Sequence, residues 1–120
     1  MSKPPQLGSH HTEAMLEYVI RMQDRHVASD IPGDTRMRLS VHLTTMFWLH
    51  THDIEITVAA MTSTMGLNRR TINLGFKQLE VAGIVRSTII KASHGKGRAM
   101  RYFFTDTFTA QVIKIHKSLH

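Results

Sequence analysis

A run of hydrogen-bond donors lies just past the middle of the chain. Residues 65–85 read MGLNRRTINLGFKQLEVAGIV, with a Gly-Leu-Asn turn before the first arginine. Donors on the first exposed turn of a helix can reach base edges or phosphates, and the positive end of the helix dipole adds to their attraction for anions. The candidate contact residues of this run are Asn68, Arg69, Arg70, Thr71, Asn73 and Lys77.

A second cationic run follows at residues 93–101, SHGKGRAMR. Gly95 and Gly97 favour a slim loop, and cationic side chains on such a tip suit phosphates or a narrow minor groove. The candidate residues here are His94, Lys96, Arg98 and Arg101. For both runs the alternative is an ordinary solvated surface, a helix face in one case and a loose hairpin tip in the other.

Charge is distributed unevenly along the 120 residues. Residues 1–65 contain five Lys or Arg and seven Asp or Glu, a net charge of −2, whereas residues 66–120 contain ten and two, a net charge of +8. The overall surplus of +6 therefore belongs to the C-terminal half. Such asymmetry indicates a polyanionic partner, although solubility, a membrane surface or an acidic protein would also account for it.

Apolar residues at three- and four-residue spacing predict the helices that position these side chains. Turn residues, among them Pro32, Gly33 and Gly66, mark the breaks between them. The predicted helices span residues 12–28, 35–51, 58–65, 69–82 and 107–118. Their predicted N-caps are Thr12, Thr57, Asn68 and either Asp106 or Thr107.

β-Branched and aromatic residues predict a hairpin from residues 84–91 and 100–105. Residues 53–57, DIEIT, alternate polar and apolar and predict a short strand or an extended link. Residues 1–11, with two prolines and a glycine, predict a disordered arm. The fold class expected is α+β and mostly helical, with residues 12–120 as one domain.

The order helix, turn, helix, hairpin resembles the winged helix-turn-helix of bacterial transcription regulators of the MarR and GntR types. Those families carry a Leu-Ala-x-x-Leu-Gly-Val-Ser-Arg-x-Thr-Val run followed by Leu-x-x-Leu-Glu-x-x-Gly-Leu-Ile. Thr62 stands where alanine is usual and Asn68 where serine is usual, and the similarity covers residues 54–105 at most. The matching positions are Met61, Met65, Gly66, Leu67, Asn68, Arg69, Thr71, Ile72, Phe76, Leu79, Glu80, Gly83, Ile84 and Val85.

The resemblance implies a double-stranded DNA-binding regulator, most simply a repressor, with helix 69–82 in the major groove and the loop 93–101 as a wing. It also implies a homodimer formed by the outer helices 12–28 and 107–118. Alternatives are a plasmid or phage replication or segregation protein, and a winged protein-interaction module. The predicted dimer residues, which could instead cover the monomer's own core, are Met15, Val19, Met22, Phe108, Val112, Ile115 and Leu119.

Other classes of function have little support in the residues. No cysteine is present, and we find no Gly-rich phosphate loop, nucleophile elbow or HExxH motif, so we expect neither an enzyme nor a cofactor. Nine histidines include the pair His116 and His120, but no tetrahedral ligand set is evident, so no metal is expected. No apolar run of membrane-spanning length occurs, which predicts a soluble, cytoplasmic protein. The DNA binding that the resemblance implies would make it nucleoid-associated. A small-molecule effector cannot be assigned.

Overall fold

The computed structural model describes residues 6–23, 33–91 and 98–120, and this part of the chain is α+β and mostly helical. A 3₁₀ turn at Ser9–His11 comes before the first α-helix. The elements then follow in the order α1 (Thr12–Gln23), α2 (Gly33–Thr51), α3 (Val58–Met65), α4 (Arg69–Val81), β1 (Val85–Lys91), β2 (Arg98–Phe104) and α5 (Asp106–Leu119). The predicted fold class is confirmed at this level.

The element boundaries follow local chemistry closely. Helix α3 ends where Gly66 takes φ = 67°, and after α4 the chain turns where Gly83 takes φ = 78°, both in the left-handed region that favours glycine. Helix α2 begins at Gly33, two residues before the predicted start. Predicted segments 24–28 of the first helix and 93–97 of the loop lie outside the described residues.

The two strands form an antiparallel ladder that positions the hairpin. Val85 pairs with Phe104 at its base, and Lys91 pairs with Arg98 at its far end. On the other edge of β2, the Tyr102 N–H donates to the Ile56 carbonyl at 2.9 Å, and Thr57 bridges Arg101. Asp53 still belongs to the turn after α2, with φ = 57°, and the predicted link meets the edge of β2 only at Ile56 and Thr57. No helix of the described residues is long and apolar enough to cross a membrane.

The N-terminal segment differs from its prediction as a disordered arm. Leu7 is buried, and the His50 ring Nε2 lies 3.0 Å from its carbonyl oxygen. In the 3₁₀ turn, the Gly8 N–H donates to Nδ1 of the buried His11 at 3.0 Å. The prediction for residues 1–11 is wrong over residues 6–11, because one leucine and one neutral imidazole pack against the core. Residues 1–5 lie outside the described part.

The outer helices complete the hydrophobic core of the monomer. Helix α1 packs between α2 and α5, and Tyr18 meets Phe108 edge-to-face with ring centroids 4.8 Å apart. Of the predicted dimer residues, Val19 is half-buried and Leu119 is 40% exposed, but five are inside the core. These five are Met15, Met22, Phe108, Val112 and Ile115. Their burial favours the alternative that these residues cover the monomer's own core, and a dimer interface on the outer helices stays a prediction.

Helix α5 is capped by Thr105 rather than by Asp106 or Thr107. The Thr105 hydroxyl accepts a hydrogen bond from the Phe108 N–H at 3.1 Å and donates to the Gly83 carbonyl at 2.6 Å. One side chain thus starts α5 and also ties it to the turn after α4. Because a cap oxygen satisfies a backbone N–H that otherwise lacks a partner, its loss is costly.

Replacing Thr105 with alanine should therefore lower the free energy of unfolding by about 1–2 kcal/mol. Thr107→Ala is the matched control, since Thr107 is exposed, and should change it by less than about 0.5 kcal/mol. Urea unfolding of both variants measures the difference. Equal effects of the two substitutions would contradict the assignment of the cap.

Candidate nucleic-acid interface

The turn between α3 and α4 sets where α4 begins. Asn68 takes an extended conformation, and its Oδ1 accepts a hydrogen bond from the Thr71 N–H at 2.9 Å. At the start of α3, the Thr57 hydroxyl accepts from the Ala60 N–H at 3.1 Å, so both predicted caps are confirmed. The Asn68 carbonyl also accepts the first helical bond of α4, from the Ile72 N–H. The N-terminal turn of α4 is consequently well defined and exposed to solvent.

The apolar face of α4 is held from two sides. The rings of Phe76 and Tyr102 stack in parallel planes with centroids 3.7 Å apart, which fixes α4 against β2. One residue earlier, Gly75 lies directly against the buried ring of His42 in α2, where a methyl group would overlap the imidazole. Because both contacts lie in the middle of α4, the direction of its exposed face is determined by packing.

The exposed face of α4 gathers most of the predicted donors. Arg70, Asn73 and Lys77 are all exposed and stand three and four residues apart, so they share one side of the helix. Arg69 is exposed beside them on the first turn. Thr71 is different: it is half-buried and lies about 100° around the helix from Arg70, toward the buried face. The structure therefore groups four of the predicted side chains and separates Thr71 from them.

No carboxylate of the described residues forms a salt bridge with these cations. Within residues 6–23, 33–91 and 98–120, the salt bridges are Arg21 to Glu17, Arg101 to Glu55, and His120 to Glu13. None of the three involves α4. Exposed, unpaired guanidinium and ammonium groups at a helix N-terminus remain available to an external anion.

Arg101 does not occupy the tip of the hairpin. It lies inside β2 opposite Thr88, and its Nη1 is 3.4 Å from Oε1 of Glu55. Its guanidinium also lies over the Phe103 ring, 4.9 Å from the centroid. The side chain is thus engaged within the protein, midway along the hairpin. The predicted tip residues His94 and Lys96, and the side chain of Arg98, lie outside the described residues.

Two polar residues near these donors, Arg86 and Ser63, are missing from the sequence prediction. Arg86 in β1 is exposed, with its guanidinium on the Phe103 ring at 4.9 Å, so it shares the outer face of the sheet with Arg101. A shallow groove of about 390 Å³ between α3 and α4 is lined by Ser63 and Arg69 together with three other α3 residues. Strand alternation outward from the buried Val85 is the signal that could have found Arg86.

Burial changes the proton affinity of His42 beneath α4. Desolvation lowers its pKa below the ordinary value of 6.5, and the nearby charge of Arg38 lowers it further, while its backbone contacts with Arg38 and Ile72 oppose the shift. Its Nδ1 lies 3.2 Å from the Arg38 carbonyl, whereas Nε2 has no partner of good hydrogen-bond geometry. Burial also lowers the pKa of His11, with help from the neighbouring His10 and His116. Both imidazoles are therefore held neutral by the fold.

Acidification should destabilise the protein through these two histidines. A lowered pKa in the folded state means that the unfolded chain binds more protons below about pH 6.5. The free energy of unfolding is therefore highest above that pH and decreases as the pH falls. Urea unfolding at about pH 7.5 and about pH 5.5 measures the loss. The His42→Leu variant should show a shallower pH dependence, and a wild-type stability that is constant or rises on acidification would contradict this.

The described histidines do not form a metal centre. No three His, Asp or Glu side chains of the described residues are grouped so that they could hold a metal ion.

The comparisons with known proteins add no family: no protein-family model, no curated protein and no solved structure matches the chain significantly. The site is therefore interpreted from its own geometry.

Proposed function

We propose that the protein is a winged helix-turn-helix regulator that binds double-stranded DNA in a sequence-specific manner, most simply as a repressor. The observation that carries the proposal is the exposed line of Arg70, Asn73 and Lys77 on a helix whose opposite face is fixed by packing. Bidentate pairing of Arg with guanine and of Asn with adenine is the chemistry by which such a helix distinguishes bases.

The docking geometry follows from the arrangement of α3, α4 and the hairpin. The N-terminal turn of α4 enters the major groove, with Arg69 and Arg70 foremost. The outer face of the sheet, with Arg86, faces phosphates beside that groove, and the loop between β1 and β2 reaches the minor groove. The charge of +8 after residue 65 supports a polyanion on this side of the molecule.

Selection of bound fragments from random and genomic duplexes tests the proposal directly. We expect an enriched motif with two half-sites about one helical turn apart, because a dimer presents two copies of α4. If each monomer neutralises about four phosphates, the logarithm of the binding constant should fall with the logarithm of salt concentration at a slope of about −3.6 per monomer.

The outcomes separate this function from its rivals. An array of repeated sites in place of one palindrome would favour a plasmid or phage replication or segregation protein. Binding without any enriched motif would leave a non-specific DNA-binding protein and contradict the regulator. Absence of salt-dependent binding to every duplex would contradict DNA binding altogether and leave a winged protein-interaction module.

A further inference from the structure

Helix α2 carries an apolar stripe that the monomer does not cover. Met37, Val41 and Trp48 are 66%, 52% and 46% exposed. With Thr44 between the last two, their spacings are four, three and four residues, the repeat of a helix seam that packs against another helix. A solvated helix face would carry charged residues at these positions.

Helix α1 extends the stripe into a patch. Leu16 is 48% exposed and Ile20 is 64% exposed, one turn apart on the same side of the helix. Gln23, one turn beyond Ile20 on that side, hydrogen-bonds to the Ser40 hydroxyl and the Arg36 carbonyl of α2. This edge of α1 therefore borders α2. We define the α1/α2 patch as Leu16, Ile20, Met37, Val41 and Trp48.

The patch is separate from the surfaces already used by the fold. Helix α4 contacts another side of α2, where Arg38 donates to Gln78 and His42 meets Phe76 edge-to-face. Helix α5 contacts another side of α1, where Tyr18 meets Phe108. The patch thus leaves the proposed DNA-binding face of α4 free.

The size of the patch fits an interface between proteins. Five large apolar side chains that are each about half exposed offer on the order of 500 Å², as much as the largest apolar patch of a typical monomer. A stable interface buries about 800 Å² on each partner, of which roughly three-fifths is apolar. The patch therefore supplies most of the apolar area that one such interface needs.

The charge of this face favours a second copy over other partners. The cations of the C-terminal half repel one another between two copies. Helices α1 and α2 together carry three acidic and three basic residues and so have no net charge, and Arg21 is paired to Glu17 at 3.2 Å; the six residues are Glu13, Glu17, Arg21, Asp34, Arg36 and Arg38. Two copies can therefore approach through α1 and α2 with little repulsion. A face made of two neighbouring helices can pack on its own copy about a two-fold axis, and the result is a four-helix bundle.

We infer that a second copy of the chain docks on the α1/α2 patch, forming a symmetric dimer through α1 and α2. This supplies the dimer interface that the proposed function needs, in place of the outer-helix residues that are buried in the monomer. The inference does not depend on DNA binding, since the assembly is measured without DNA.

Sedimentation velocity of the full chain tests the inference. We expect a mass of twice the 13.7 kDa monomer at about 100 μM, with dissociation on dilution toward about 1 μM. The chain has a single tryptophan, and it lies in the patch. Trp48 emission should therefore shift to shorter wavelength as the dimer forms, because the ring leaves water.

Single charged substitutions locate the interface. Val41→Glu should abolish the dimer, and Ile20→Glu should do so independently, while circular dichroism confirms that both variants are folded. Val81→Glu is the matched control, because Val81 is 83% exposed at the end of α4, and should leave the dimer intact. A chain that stays monomeric at about 100 μM, or a dimer that survives both Val41→Glu and Ile20→Glu, would overturn the inference. Loss of the dimer in Leu119→Glu alone would place the interface on α5 and would likewise overturn it.

Discussion

Replacing Gly75 with alanine should lower the free energy of unfolding by about 1–3 kcal/mol, because the added methyl overlaps the ring of His42. The sign is the informative part. In an exposed helix interior, alanine stabilises relative to glycine by about 0.8–1 kcal/mol, so loss of stability shows that overlap outweighs helix propensity. The His42 side chain of α2 is fully buried against α4, and this leaves the ring little room to move away. The midpoint of urea unfolding measures the effect.

A double-mutant cycle ties the loss to this contact. His42→Ala alone leaves a cavity and should also destabilise the protein. Combined with Gly75→Ala, it removes the overlap, so the double variant should be more stable than the sum of the two single effects predicts, by at least about 0.5 kcal/mol. Strict additivity would show that Gly75 is required for some reason other than its contact with His42.

Replacing Arg70 with alanine should weaken binding to the selected duplex by about 1–3 kcal/mol, a factor of about 5 to 150. The side chain is exposed on the first turn of α4 and has no salt-bridge partner among the described residues. If Arg70 contacts a base, preference at one base pair should relax, whereas an equal loss on every duplex indicates a phosphate contact. Titration of labelled duplexes that differ at single positions distinguishes the two.

Lys114→Ala provides the matched control. It removes the same charge from an exposed position of α5, away from α4, and should reduce affinity by much less than Arg70→Ala. Thermal unfolding of both variants should be unchanged, since neither side chain is buried. If both substitutions weaken binding equally, total charge rather than the face of α4 determines affinity, and the proposed docking geometry fails.

Much of the secondary structure could be predicted because each element carries its own local signals. Asn68 and Thr57 cap α4 and α3 as their side chains require, and Gly66 takes the left-handed conformation that only glycine adopts readily. The amphipathic pattern of α4 also puts Ile72, Phe76 and Leu79 on one face of the helix, and all three are buried. These features depend on residues within one turn of one another.

The errors concern contacts between distant segments. Sequence periodicity gives the apolar face of α1 but cannot tell whether that face meets α5 of the same chain or a second copy. Met15 therefore looked like an interface residue although it lies in the core. The ion pair of Arg101 with Glu55 joins residues 46 positions apart, so no local pattern revealed it. The ordering of Leu7 depends on His50 in the same way.

The stacking of Phe76 on Tyr102 fixes α4 against strand β2 of the hairpin. In the proposed complex, α4 contacts the bases and the sheet contacts the phosphates. Because the two are held in a fixed relation, one copy should tolerate little change in the separation between these two sets of contacts. For the proposed dimeric regulator, a signal that releases the DNA is then expected to change the distance between the two copies rather than the shape of either one. Regulation would then act through the distance between the two subunits, which the dimer interface determines.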